Sequence, residues 1–243
     1  MEKVALVTGS SRGIGAATAK LLARQGYAVC VNYRSQKNAA DDVVAAIKAE
    51  GGKAIAIQAD VSVETEVIQL FLSIEQALGQ VTHLVNNVGI LYQQSNLVDM
   101  SLERFNSVLI ANVSSCFLCC REALKVMQQG CAIVNVSSAA SRLGAPFEYI
   151  DYAASKGAID SLTKGLSLEV AGKGIRVNAV RPGLIDTSIH ADGGEPERAQ
   201  RLGATTPLQR CGTAEEVANA ISWLLSDEAS YVTGSFVDIA GGK

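Results

Sequence analysis

The sequence predicts an α/β fold, a single doubly wound domain whose mainly parallel seven-stranded sheet is flanked by helices. Short apolar strands alternate with helical stretches along all 243 residues, a glycine-rich turn joins the first strand to the first helix, and no composition shift marks a linker. With 48% apolar residues, the chain can bury one full core over residues 1–243.

Taken in order, Val4–Val7 reads as the first strand, followed by a helix from near Ile14 with Ala17, Leu21 and Leu22 at apolar spacing. Tyr27–Asn32 is the second strand, and Ala39–Glu50 the second helix, ended by Gly51-Gly52. Ala54–Gln58 leads into a helix through Leu78, and Leu84–Val85 into a long helix around Phe105–Met127. Ala132–Val136 precedes the helix carrying Tyr152, and Val177–Val180 precedes a less regular stretch. Glu215–Leu225 and Phe236–Ile239 supply the last helix and strand. Buried parallel strands with right-handed crossovers gather ligands at their carboxyl ends, so Gly9, Asn86, Ser138 and Pro182 are expected on one rim. Leu184–Leu208 breaks the rhythm with Gly193-Gly194, Pro196 and Pro207, and is expected to cover a substrate with Ile189, His190 and Leu202.

A net charge of -3 with scattered Lys and Arg offers no basic stripe for nucleic acid and no polybasic segment for a membrane. The first strand reaches Gly9 without the longer apolar region of a signal peptide, so a cytoplasmic, small-molecule protein is expected. Cys30, Cys116, Cys119, Cys120, Cys131 and Cys211 mostly sit in apolar surroundings. Cys116-Phe117-Leu118-Cys119 is formally C-x-x-C, but a buried helix argues against redox use. His83 and His190 are too few and too isolated for a structural metal site.

Thr8-Gly9-Ser10-Ser11-Arg12-Gly13-Ile14-Gly15 connects strand to helix, where glycines allow close backbone approach and the helix start offers free amides to phosphate. That placement points to a dinucleotide, although Gly9 precedes Gly13 by four positions, a departure from the simplest fingerprint. The second strand ends Val31-Asn32-Tyr33-Arg34-Ser35, with no carboxylate for a free ribose. Arg34, with Arg12 from the glycine loop, instead suits the 2′-phosphate of NADP(H). Asp60-Val61 after the third strand can read the adenine edge; alternatively Asp60 or Ser62 caps the next helix.

Tyr152 and Lys156 stand four residues apart, on one helical face. A lysine charge beside a phenol is expected to lower the phenol's pKa and equip it to exchange a proton with an alcohol or carbonyl oxygen.

These pieces resemble the classical short-chain dehydrogenase/reductase family from Lys3 to Gly242, its ketoacyl-carrier-protein reductases and glucose dehydrogenases included. The matching residues are Thr8–Gly15, Asp60-Val61, Asn86-Asn87-Val88-Gly89, Asn112, Ser137-Ser138, Tyr152 to Lys156, and Pro182-Gly183 with Thr187. The resemblance implies that Ser138 hydrogen-bonds the substrate oxygen, Tyr152 exchanges its proton, and Lys156 holds the nicotinamide ribose. It implies that Asn112 retains a water linking the lysine to solvent. It also implies that Gly9, Ser11, Arg12, Ile14, Gly15, Arg34, Asp60, Val61, Asn87, Gly89, Tyr152, Lys156, Pro182, Ile185 and Thr187 line the cofactor site. Asn86 is expected to stabilise the sheet.

Two departures stand out. Val88 occupies the usual alanine position of N-N-A-G, and Ser138 precedes Tyr152 by fourteen residues, one more than usual. The implied activity is NADP(H)-dependent interconversion of a carbonyl and a secondary alcohol, with reduction favoured. A sugar, a small ketone and a 3-ketoacyl thioester stay open as substrates, with Glu148 and Tyr149 as pocket candidates. The alternative class is a catalytically silent dinucleotide-binding regulator, against which stands the retention of Ser138, Tyr152 and Lys156. The family implies a homotetramer or a homodimer, with Cys116, Phe117, Leu118, Ala158 and Leu162 as apolar material for pairing.

Overall fold

Strands that alternate their side chains between two faces need a helical layer on each. In the computed structural model, which describes residues 2–243, those strands are β1 (Val4–Val7), β2 (Ala28–Tyr33), β3 (Ala54–Gln58), β4 (His83–Asn86), β5 (Ala132–Val136), β6 (Arg176–Pro182) and β7 (Phe236–Ile239). They form one parallel sheet in the order β3-β2-β1-β4-β5-β6-β7. The helices are α1 (Gly13–Arg24), α2 (Lys37–Ala49), α3 (Glu64–Leu78), α4 (Leu102–Leu109), α5 (Ser115–Val126), α6 (Ala140–Leu143), α7 (Ile150–Val170), α8 (Ile189–Asp192), α9 (Arg198–Gly203) and α10 (Ala214–Leu225).

Period-two alternation divides the core. Ala5, Val7, Val29 and Val31 pack against apolar residues of α1, α2 and α10, whereas Val4, Leu6, Ala28 and Cys30 meet α3, α5 and α7. The strand order reverses between β1 and β4, opening the crevice in which open α/β sheets bind ligands.

Polar residues extend β4 beyond its apolar run at both ends. β4 includes His83 and Asn86 because both stay in register with β5, at Ala132 and Asn135, and the Asn86 amide donates to Asn135 Oδ1 at 2.8 Å. Asn86 thus turns into the sheet towards Asn135 and Cys120 rather than lining the rim. His83 packs edge-on against Tyr27 and bonds Thr82, while burial holds its pKa down at about 4.

The long helix runs from Leu102 to Val126 with a π turn over Ile110–Ser114. By length and composition it could cross a membrane, but half of its apolar window is buried within the protein. Cys116, Cys119 and Cys120 lie on that buried side, and burial raises the thiol pKa of Cys119, the opposite of what thiol catalysis requires. Cys116 and Leu118 are therefore core residues, whereas Ile110 and Phe117 of the same helix and Leu168 of α7 are exposed.

Candidate active site

The glycine loop is shaped by close approach. Gly9 has φ +59°, and a Cβ there would stand 3.0 Å from Val88 Cγ2, so the valine that departs from N-N-A-G fills the space beneath the loop. A Cβ on Gly15 would fall 2.6 Å from Asn87 Nδ2 and 2.8 Å from the Gly9 carbonyl oxygen. Asn87 explains that crowding: its side-chain amide donates to the carbonyls of Thr8 and Gly9 at 3.0 and 3.1 Å, clamping the loop to the end of β4. Asn32, buried at the end of β2, accepts from Gly9 N at 3.2 Å and donates to the Ala59 carbonyl at 3.1 Å, tying three strand ends together. An amide in an apolar strand was the signal for that role. The start of α1 has neither a side-chain cap nor an acidic residue in its first turn, so its amides and positive end suit a phosphate.

Gly9, Ser11, Arg12, Arg34, Asp60 and Val61 line one cleft of about 220 Å³, with Asn87, Gly89 and Thr187 at its inner end. Arg34, 66% exposed, has its guanidinium 3.8 Å from Asp60. Asp60 Oδ1 accepts from Ser62 N and Oγ at 2.9 and 2.6 Å, so this carboxylate shapes the turn before α3 while its other oxygen faces Arg34. The N-cap position of α3 itself belongs to Val63. Arg12 donates to Ser188 Oγ at 3.0 Å and pairs with Asp192, both from the segment after β6.

Asn87, Gly89 and Thr187 also border a second cavity of about 440 Å³, onto which Ile14, Ser138, Tyr152, Lys156, Pro182 and Ile185 open. The two spaces meet there as one cleft across the strand ends. Lys156, only 2% exposed, donates to the Val136 carbonyl at 2.7 Å, and its Nζ lies 5.5 Å from the Tyr152 ring centroid. Burial holds its pKa down at about 8. Tyr152 is displaced upward by desolvation, opposed by the Ser138 hydroxyl. The expected downward displacement by Lys156 is thus overturned, because burial outweighs the other influences on the phenol. Ser138 Oγ accepts from Ala140 N at 3.1 Å.

Asn112 lies behind this wall. Its side chain accepts from Ile90 N at 2.8 Å and donates to Ile90 O and Ser155 Oγ at 3.1 and 3.0 Å. These bonds fasten the turn after Gly89 to the π turn. Gly15 and Asn112 are accordingly the two site candidates that shape the cleft from outside its lining.

The Leu184–Leu208 stretch carries α8 and α9 and brings Ile189, His190 and Leu202 to the cavity wall. His190 Nε2 is 2.9 Å from the Ile185 carbonyl, and burial holds its pKa down. Glu148 and Tyr149 line the same cavity. Arg198 pairs with Glu148 and Glu195 and stacks 5.3 Å from the Tyr149 ring centroid. Deeper, Arg104 Nε donates to buried Asp151 at 2.7 Å, and Asp151 accepts from Tyr152 N at 2.9 Å, fixing the first turn of α7. Arg198, Arg104 and Asp151 carried no sequence signal, since partners 47 and 50 residues away make them what they are.

A family model described as enoyl-(acyl carrier protein) reductase matches residues 9–243. The chain is a short-chain dehydrogenase/reductase. It is 60% identical over 99% of both chains to the uncharacterized oxidoreductase YgfF of Escherichia coli. It is 42% identical to a 3-oxoacyl-[acyl-carrier-protein] reductase of Synechocystis, over 99% of this chain and 96% of that one. Glucose 1-dehydrogenase 2 of Bacillus subtilis is 39% identical, over 99% and 94%. A short-chain dehydrogenase of Burkholderia cenocepacia, solved in complex with NADP, superposes with TM-score 0.92 at 34% identity, over 99% and 97%. The family makes this chain an oxidoreductase, while relatives of nearly equal identity carry names for different substrates.

Proposed function

We propose that the protein is an NADP(H)-dependent reductase of an uncharged carbonyl compound, returning a secondary alcohol, acting as a cytoplasmic homotetramer. The observation that carries this reading is the opening of Ser138, Tyr152 and Lys156 onto one cavity that runs into the glycine-loop cleft. The crowded cradle around Gly9 and Gly15, the uncapped start of α1 and two arginines without a ribose-binding carboxylate fit the pyrophosphate and 2′-phosphate of NADP.

NADPH supplies the hydride when bound. Ser138 donates a hydrogen bond to the carbonyl oxygen, and Tyr152 delivers its proton to that oxygen as negative charge develops. A phenol raised by burial is protonated at neutral pH, the form that reduction requires. Lys156, anchored by Val136, presents positive charge behind the phenol and stabilises the phenolate once the proton has left.

Leu91, Leu143, Pro146 and Leu202 give the cavity apolar walls; of its charged members Glu148 pairs with Arg198, and Lys156 and Lys243 are the others. An apolar, uncharged ketone or a ketoacyl thioester matches that lining better than a sugar does. Initial rates of NADPH and NADH oxidation over a panel of apolar ketones, a ketoacyl thioester and sugars test the proposal. NADPH-linked turnover on apolar carbonyls is expected. NADPH binding without turnover on any compound would instead favour the silent regulator.

A further inference from the structure

Arg12 precedes α1 in an extended conformation, with φ -153° and ψ 171°, and its side chain crosses to the covering segment. Its guanidinium bonds Ser188 and Asp192, four residues apart on either side of the first turn of α8. Arg12 and Asp192 are 50% and 45% exposed, so a water-borne anion can reach the same donors. On the facing wall, Arg34 meets Asp60 at a looser 3.8 Å. Each arginine of the cleft is thus faced by a carboxylate. Asp60 is fixed by Ser62, whereas Asp192 rides on the covering segment. The far end of that segment is held separately, through Arg198 with Glu148 and Gln94 with Glu195.

We propose that Asp192 sets cofactor discrimination by competing with the 2′-phosphate of NADP for Arg12. Binding of NADP displaces the Asp192 carboxylate and frees the first turn of the covering segment. Binding of NAD, which has no 2′-phosphate, leaves the pair intact. This inference rests on the proposal that Arg12 and Arg34 receive that phosphate. A fully solvated phosphate dianion with bidentate geometry can replace one carboxylate on a guanidinium, and the displacement lowers the net affinity by what the exposed pair is worth.

Dissociation constants for NADPH and NADH, read from cofactor fluorescence in the wild type and Asp192→Asn, test it without reference to turnover. Asp192→Asn is expected to tighten NADPH by roughly two- to fivefold, the worth of an exposed ion pair, and to leave NADH unchanged. The difference should shrink as salt is raised. A wild type that prefers NADPH but shows no change on substitution, or the same change for both cofactors, overturns this inference alone. A wild type that prefers NADH overturns the phosphate reading, and the inference with it.

Discussion

The two halves of the cleft use charge in opposite ways. Around Lys156 the ammonium is buried at the cavity wall, and burial sets its behaviour and that of Tyr152. Around Arg12 and Arg34 the guanidinium groups are half-exposed or more and pair with carboxylates that are themselves reached by solvent. The buried half holds a small number of groups rigidly, at a cost in stability, and suits chemistry. The exposed half exchanges partners easily and suits recognition of an anion.

Replacing the buried ammonium breaks this contrast most severely. Lys156→Met is expected to reduce turnover roughly 100-fold or more, because the charge behind Tyr152 is lost. The same substitution should stabilise the protein. With the folded pKa of Lys156 at about 8 against an ordinary 10.5, the unfolded chain binds more protons between those values, so this group makes stability rise with pH across that window. Below about pH 8 the charged form is carried in both states and its full burial cost, roughly 3 kcal/mol, is present. Thermal unfolding at pH 7 should therefore show a higher Tm for Lys156→Met by roughly 5 °C, with the gap closing towards pH 10. A lower Tm at pH 7 would place the lysine among stabilising residues and erase the contrast.

A smaller and selective effect is expected on the exposed side. Arg34→Ala should weaken NADPH binding by roughly tenfold, leave NADH nearly unaffected and reduce the salt dependence of NADPH binding. Equal weakening of both cofactors, measured by the same fluorescence titration, would assign Arg34 to adenosine packing instead.

Local features of this site were legible in the sequence, and features made by distant partners were not. The glycine loop and the Tyr152–Lys156 pair are set by neighbours along the chain, and both lie at the carboxyl ends of the strands. The pairing of Arg12 with Asp192 joins positions 180 residues apart, and the clamp of Arg104 on Asp151 depends on the packing of α4 against α7. The direction of the Tyr152 displacement is not legible for the same reason: helical spacing shows that a lysine is near, while only the packed structure shows the desolvation of the phenol. Strand limits at His83 and Asn86 were hidden because polar side chains continue the ladder through internal hydrogen bonds.

Under the proposed function the buried half performs the chemistry and the exposed half holds the cofactor. Single-turnover NADPH oxidation by Tyr152→Phe, measured beside the NADPH dissociation constant of the same variant, separates those roles directly. A loss of the oxidation rate by roughly 100- to 10,000-fold with an essentially unchanged dissociation constant is predicted. An undiminished rate, or a loss accounted for entirely by weaker NADPH binding, would contradict it.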